Sequence, residues 1–71
     1  MIAFRPLMKK KTLEKKLTEL GWWYLRAGSN HDIWTNGKEI EPIGRHREIN
    51  EFTAKGSLAR AARNPGLKLE K

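Results

Sequence analysis

The chain contains no cysteine. Disulfide staples, thiolate catalysis and cysteine-bound zinc are therefore excluded, and a cytoplasmic setting fits. Apolar residues are scarce too, at 38 % of 71 residues, against roughly 45–50 % in ordinary globular chains. A domain of this size buries only about 60 % of its unfolded surface. The core must be thin, and neither a large internal pocket nor an organic cofactor is expected. Long hydrophobic runs are missing. The longest, residues 20–25, spans six residues counting its glycine, where a membrane-spanning helix needs about 20. No membrane partner is expected. Acidic residues are few, 8 against 15 Lys and Arg, for a net charge of +7. The expected partners carry phosphate or carboxylate: nucleic acid or an acidic protein.

Residues 1–7 show no periodicity, contain Pro6 and read as an unstructured leader. Met8, followed by three lysines, reads as an alternative start. A domain is expected over 8–64 and a frayed tail over 65–71. Leu13, Leu17 and Leu20 recur at helical spacing. Thr12 is the expected N-cap and Gly21 the left-handed stop, so a helix is predicted over 11–20. Residues 22–27 are aromatic-rich, without a helical stripe, and read as a strand. Gly28-Ser29-Asn30 is turn chemistry. A second strand follows over 31–35, then Asn36-Gly37 as a two-residue type I′ hairpin turn. The third strand, 38–43, carries Pro42 and belongs at a sheet edge. Residues 44–49 read as a loop. Asn50 caps a second helix to about Arg63, with Phe52, Leu58, Ala59, Ala61 and Ala62 as its packing face, and Asn64-Pro65-Gly66 ends it. The order is helix, three antiparallel strands, helix, with both helices on one sheet face: an α+β fold.

Few residues can carry chemistry. There are two histidines, His31 after the Gly-Ser-Asn turn and His46 between two arginines. Histidine as a residue type exchanges protons near neutral pH, so either is a candidate, and either can equally be an idle surface residue. No zinc spacing, Walker loop or nucleophile elbow occurs. His31 and Asp32, adjacent in a strand, point to opposite faces and form no dyad. Arg45-His46-Arg47 leads into a helix N-terminus, where backbone N–H groups attract phosphate. Glu48 and Glu51 oppose that attraction. Lys55, Arg60 and Arg63 share a broad helix face that either binds phosphate or is simply solvated. Trp22, Trp23 and Trp34 serve as core or as base-stacking platforms.

Taken together, the Leu-rich helix ending in Gly-Trp, Gly28-Ser29-Asn30-His31, the Pro-containing third strand and Arg45-His46-Arg47-Glu48-Ile49 resemble the HicA family of small bacterial toxins. The resemblance covers about residues 9–63. It implies a double-stranded-RNA-binding-domain-like αβββα fold and a toxin of a type II toxin–antitoxin system. It implies an endoribonuclease that cleaves mRNA, with His31 as the catalytic residue and a HicB-type antitoxin covering the His31 region as partner. RNA carries its own nucleophile, the 2′-hydroxyl, so a small enzyme without a metal or cofactor would suffice. On this reading Gly28, Ser29, Asn30, Arg45, His46, Arg47 and Lys55 contact substrate, and His46 is the second choice for proton transfer. The alternative is a non-catalytic RNA-binding module on the same fold, reading A-form shape.

Overall fold

A computed structural model describes residues 6–66. The order of elements is β1 (Leu7–Lys9), α1 (Lys10–Glu19), β2 (Trp23–Ala27), β3 (His31–Thr35), β4 (Ile40–Gly44), β5 (Glu48–Asn50) and α2 (Glu51–Arg63). Strands β2, β3 and β4 form an antiparallel sheet in that order, so the Pro42 strand lies at an edge. The predicted αβββα framework is present. Alternation puts Asp32 and Trp34 on one face of β3, opposite Ile43 and Glu41 of β4. Both helices reach that face: Lys10 of α1 bonds Asp32, while Ser57 and Arg60 of α2 bond Glu41. The core between the layers is Leu13, Leu17, Trp22, Trp34, Ile43, Ile49, Ala54 and Ala61. Burying a leucine contributes about 1.5–3 kcal/mol, which is what holds a ten-residue helix too short to persist alone.

A two-stranded ribbon, β1 with β5, was not expected. Leu7 pairs with Asn50, Met8 with Ile49 and Lys9 with Glu48, and the Pro6 carbonyl accepts from the Glu51 N–H at 3.0 Å. The folded chain therefore begins before residue 8, and part of the expected 44–49 loop is strand. Residues 1–5 of the expected leader lie outside the described residues. The ribbon also moves the start of α1. Its N-cap is Lys9, not Thr12, and no side chain caps it. Lys9 is held extended by β5, and the Lys10 N–H donates to the Arg47 carbonyl at 2.8 Å. Tertiary pairing does the capping that Thr12 was expected to do.

The 36–39 hairpin also departs from expectation. Thr35 pairs with Ile40, which leaves four loop residues. Among the described residues only glycines have positive φ, so Asn36 is not in a type I′ turn, which needs φ > 0 at both central residues. The Asn36 side chain instead accepts from the Lys38 and Glu39 N–H groups at 2.8 and 2.6 Å and donates to the Asn64 carbonyl at 2.9 Å. Asn36 is buried by this role. Trp22 donates to the same carbonyl at 2.9 Å, so two side chains satisfy the C-terminus of α2. Gly21, at φ +87°, ends α1 as expected. Gly66 N–H bonds the Leu20 carbonyl at 2.9 Å, and a Cβ at Gly66 would run into the Gly21 carbonyl. Residues 65 and 66 thus belong to the folded unit; the rest of the expected tail lies outside the described residues.

Asn50 caps α2 as expected, accepting from the Phe52 and Thr53 N–H groups. The packing face matches expectation only at Leu58 and Ala61. Ala54, Ser57 and Ala61 are buried and Leu58 packs beside them, whereas Phe52 is 76 % exposed and Ala59 and Ala62 face solvent. Ser57 lies over the Glu41 carboxylate beneath the helix. Arg60 grips it at 3.1 and 2.6 Å and the Ser57 hydroxyl at 3.2 Å, which raises the Arg60 guanidinium above its ordinary value. Among the described residues no helix is long and apolar enough to cross a membrane.

Candidate functional site

His31 opens β3 and is exposed. Its imidazole makes no hydrogen bond among the described residues; its backbone is tightly held. The Gly28 N–H donates to the His31 carbonyl at 2.7 Å, closing the 28–31 turn. Gly28 is needed there for space: a Cβ would lie 3.0 Å from that carbonyl and 3.3 Å from the Ile33 side chain. Ser29 and Asn30 are exposed at the tip.

Across the sheet, β4 brings Gly44 opposite His31, so the next residue, Arg45, reaches the turn. Its Nη2 donates to the Gly28 carbonyl at 2.5 Å and to the His31 carbonyl at 3.4 Å, and its Nε to the Asp32 carboxylate at 3.2 Å. Asp32 points away from His31, as alternation requires. Its other oxygen accepts from Lys10 Nζ at 2.7 Å, and Lys10 also pairs with Glu14 at 2.6 Å. The hydrogen bond from Lys10 holds the Asp32 carboxyl below its ordinary value; partial burial opposes this and Arg45 reinforces it. Burial acts against the charged form of Lys10, but hydrogen bonds and charge from Asp32 and Glu14 outweigh it and raise the ammonium above its ordinary value.

Beside this chain of ion pairs lies an open cleft of about 550 Å³, lined by Lys9, Lys10, Lys11, Glu14, Arg45, Arg47 and Glu48. Five cations face two carboxylates, and no acidic residue occupies the first turn of α1. Lys9, Lys10 and Lys11 were missed as site residues. In the sequence they are a lysine run after a methionine, and only the β1–β5 pairing brings them to Arg45 and Arg47. Of the residues expected to contact substrate, Gly28, Ser29, Asn30 and Arg45 come together around the His31 turn, and Arg47 lines the cleft. His46 is exposed between them and does not line the cleft. Lys55 stands on α2, paired with Glu51 at 3.4 Å, and does not line it either.

Of the two roles open to the tryptophans, Trp22 and Trp34 take the core one. Trp22 precedes β2 and is core; Trp23 is half-buried; Tyr24 meets Trp34 edge-on, ring centroids 6.4 Å apart. Among the described residues, no group of three or more His, Asp or Glu is placed to hold a metal ion. Comparisons with protein-family models, curated proteins and solved structures find no match to this chain.

Proposed function

We propose that the protein is an endoribonuclease of the toxin type, cleaving mRNA with His31 as proton carrier. One observation carries the reading: an exposed histidine stands on a turn pinned by Arg45, and Arg45 also lines a cleft with five cations. A polyanion backbone fits the cleft, and its scissile phosphate would lie at the turn. The 2′-hydroxyl attacks the adjacent phosphorus and loses its proton to a base. The bond from phosphorus to the 5′-oxygen breaks, and that oxygen takes up a proton. His31 supplies one of these transfers, a contribution of about 10²–10⁴-fold. Cations and turn N–H groups stabilise the charge on the phosphoryl oxygens. The products are a 2′,3′-cyclic phosphate and a 5′-hydroxyl. A HicB-type antitoxin that covers the 28–31 turn would silence such a site, and the +7 charge favours an acidic partner surface whose on-rate falls with salt.

The test compares wild type with His31→Ala, following mRNA integrity on induction and cleavage of a defined RNA in EDTA. Wild type should cleave and the variant should not, with both folded by circular dichroism. A substrate with a 2′-deoxy nucleotide at the scissile position should resist. Full cleavage by His31→Ala, or of the 2′-deoxy substrate, would overturn the mechanism. RNA binding by wild type without any cleavage would instead favour a binding module.

A further inference from the structure

Arg45 was expected to contact substrate, but the geometry gives its donors other work. Its Nη2 hydrogen bonds the carbonyl at each end of the 28–31 turn, and its Nε the Asp32 carboxylate. Asp32 is held by Lys10, and Lys10 by Glu14. One chain of charged groups, Glu14–Lys10–Asp32–Arg45, therefore runs from α1 through β3 to the turn. The His31 imidazole has no hydrogen bond of its own among the described residues, so its place depends on where the backbone puts it. Among those residues, Arg45 is the side chain bonded to that backbone.

We propose that Arg45 is the positioning residue of the 28–31 turn, setting the place of the His31 imidazole through the Gly28 and His31 carbonyls, and is not a ligand of the RNA phosphates. The consequence for catalysis rests on the ribonuclease reading; the consequence for the turn does not. Arginine is required for its shape. A planar fork spans two carbonyls and a carboxylate at once, whereas a lysine ammonium is a point charge on a flexible stem. Charge alone should not replace it. A phosphate ligand behaves in the opposite way, since lysine keeps most of the attraction and the salt dependence.

The experiment uses Arg45→Lys and Arg45→Ala in the full chain, with three readouts. Amide exchange by NMR reports the turn: the Gly28 N–H should exchange about tenfold faster in both variants relative to the core amide of Leu17 in the same sample, which removes any global loss of stability. Affinity for a uniform single-stranded RNA, measured in the His31→Ala background, should keep its salt slope even in Arg45→Ala, where loss of a phosphate ligand would lower it by about 0.7. Single-turnover cleavage should fall about 10²-fold in both variants, the scale of an ångström-sized misplacement, with KM unchanged and no rescue by lysine. Unchanged Gly28 exchange relative to Leu17 would overturn the proposal, as would a raised KM with an intact single-turnover rate. If wild type cleaves no RNA, the ribonuclease reading fails, and the Gly28 exchange alone decides whether Arg45 positions the turn.

Discussion

The two ends of the molecule are built by different forces. α1 starts at the cationic cleft with Lys10 and stops at Gly21; β3 starts at His31 and runs into Asn36. Where they start, the chain is exposed and charged, held by Lys10, Asp32 and Arg45. Where they stop, Trp22, Asn36, Asn64 and Gly66 are knitted together by hydrogen bonds to carbonyls at the ends of α1 and α2. The packed end leaves little for a ligand to touch. The charged end keeps backbone groups and cations at the surface and needs ion pairs to hold its shape. Stability resides at one end and the proposed chemistry at the other, about 15 Å away along a ten-residue helix.

The sharpest way to break this division is at Trp22. Trp22→Ala removes a buried aromatic and two caps on α2, and should cost about 3–5 kcal/mol, most of what a domain this size possesses. Urea unfolding checks it, and the loss should not depend on salt. Gly66→Ala should also destabilise strongly, by the clash with the Gly21 carbonyl. A stable Trp22→Ala protein would mean that the ionic end carries the fold.

At the charged end the expected losses are smaller and depend on pH. Asp32 is held below its ordinary value of 3.8, so the stability it contributes is present above that value and falls away as pH drops through the lower folded value. Lys10 has the opposite sign: it is raised above 10.5, so its contribution is present below that pH and lost as pH rises through the higher folded value. Asp32→Asn should cost about 1–2 kcal/mol at neutral pH and flatten the acid limb of a stability–pH curve.

Lys11→Ala and Arg47→Ala should leave stability within about 0.5 kcal/mol. Each should weaken RNA binding and reduce the salt slope by about 0.7 for every phosphate that is no longer neutralised, as read from binding titrations at several salt concentrations. The smallest effect belongs to Phe52. With its ring 76 % exposed, Phe52→Ser should shift the unfolding midpoint hardly at all, within about 0.5 kcal/mol.

What could be read from the chain alone was whatever neighbours in sequence decide. The Leu13–Leu17–Leu20 spacing, the glycine stop at Gly21, the Asn50 cap, the Gly-Ser-Asn turn before His31 and the edge position of the Pro42 strand all follow from local geometry: helical period, left-handed φ, a short polar side chain, a missing N–H. Those signals were enough for the αβββα order and for picking out the 28–31 turn. Interactions between distant residues decided the rest. Asn36-Gly37 had the local signature of a tight hairpin turn, yet the Asn36 side chain is drawn to Asn64, 28 positions on. Thr12 was a sound cap by composition, but the pairing of Lys9 with Glu48 starts the helix sooner. Phe52 was apolar enough for a core, but the face that α2 turns to the sheet is that of Ala54, Ser57, Leu58 and Ala61. The cleft has no local signature at all, because the lysines at 9–11 and the arginines at 45 and 47 meet only once β1 lies against β5. A pattern of period and propensity specifies elements; which charges end up facing one another depends on how those elements pair, and that is settled by burial and hydrogen bonding over the whole chain.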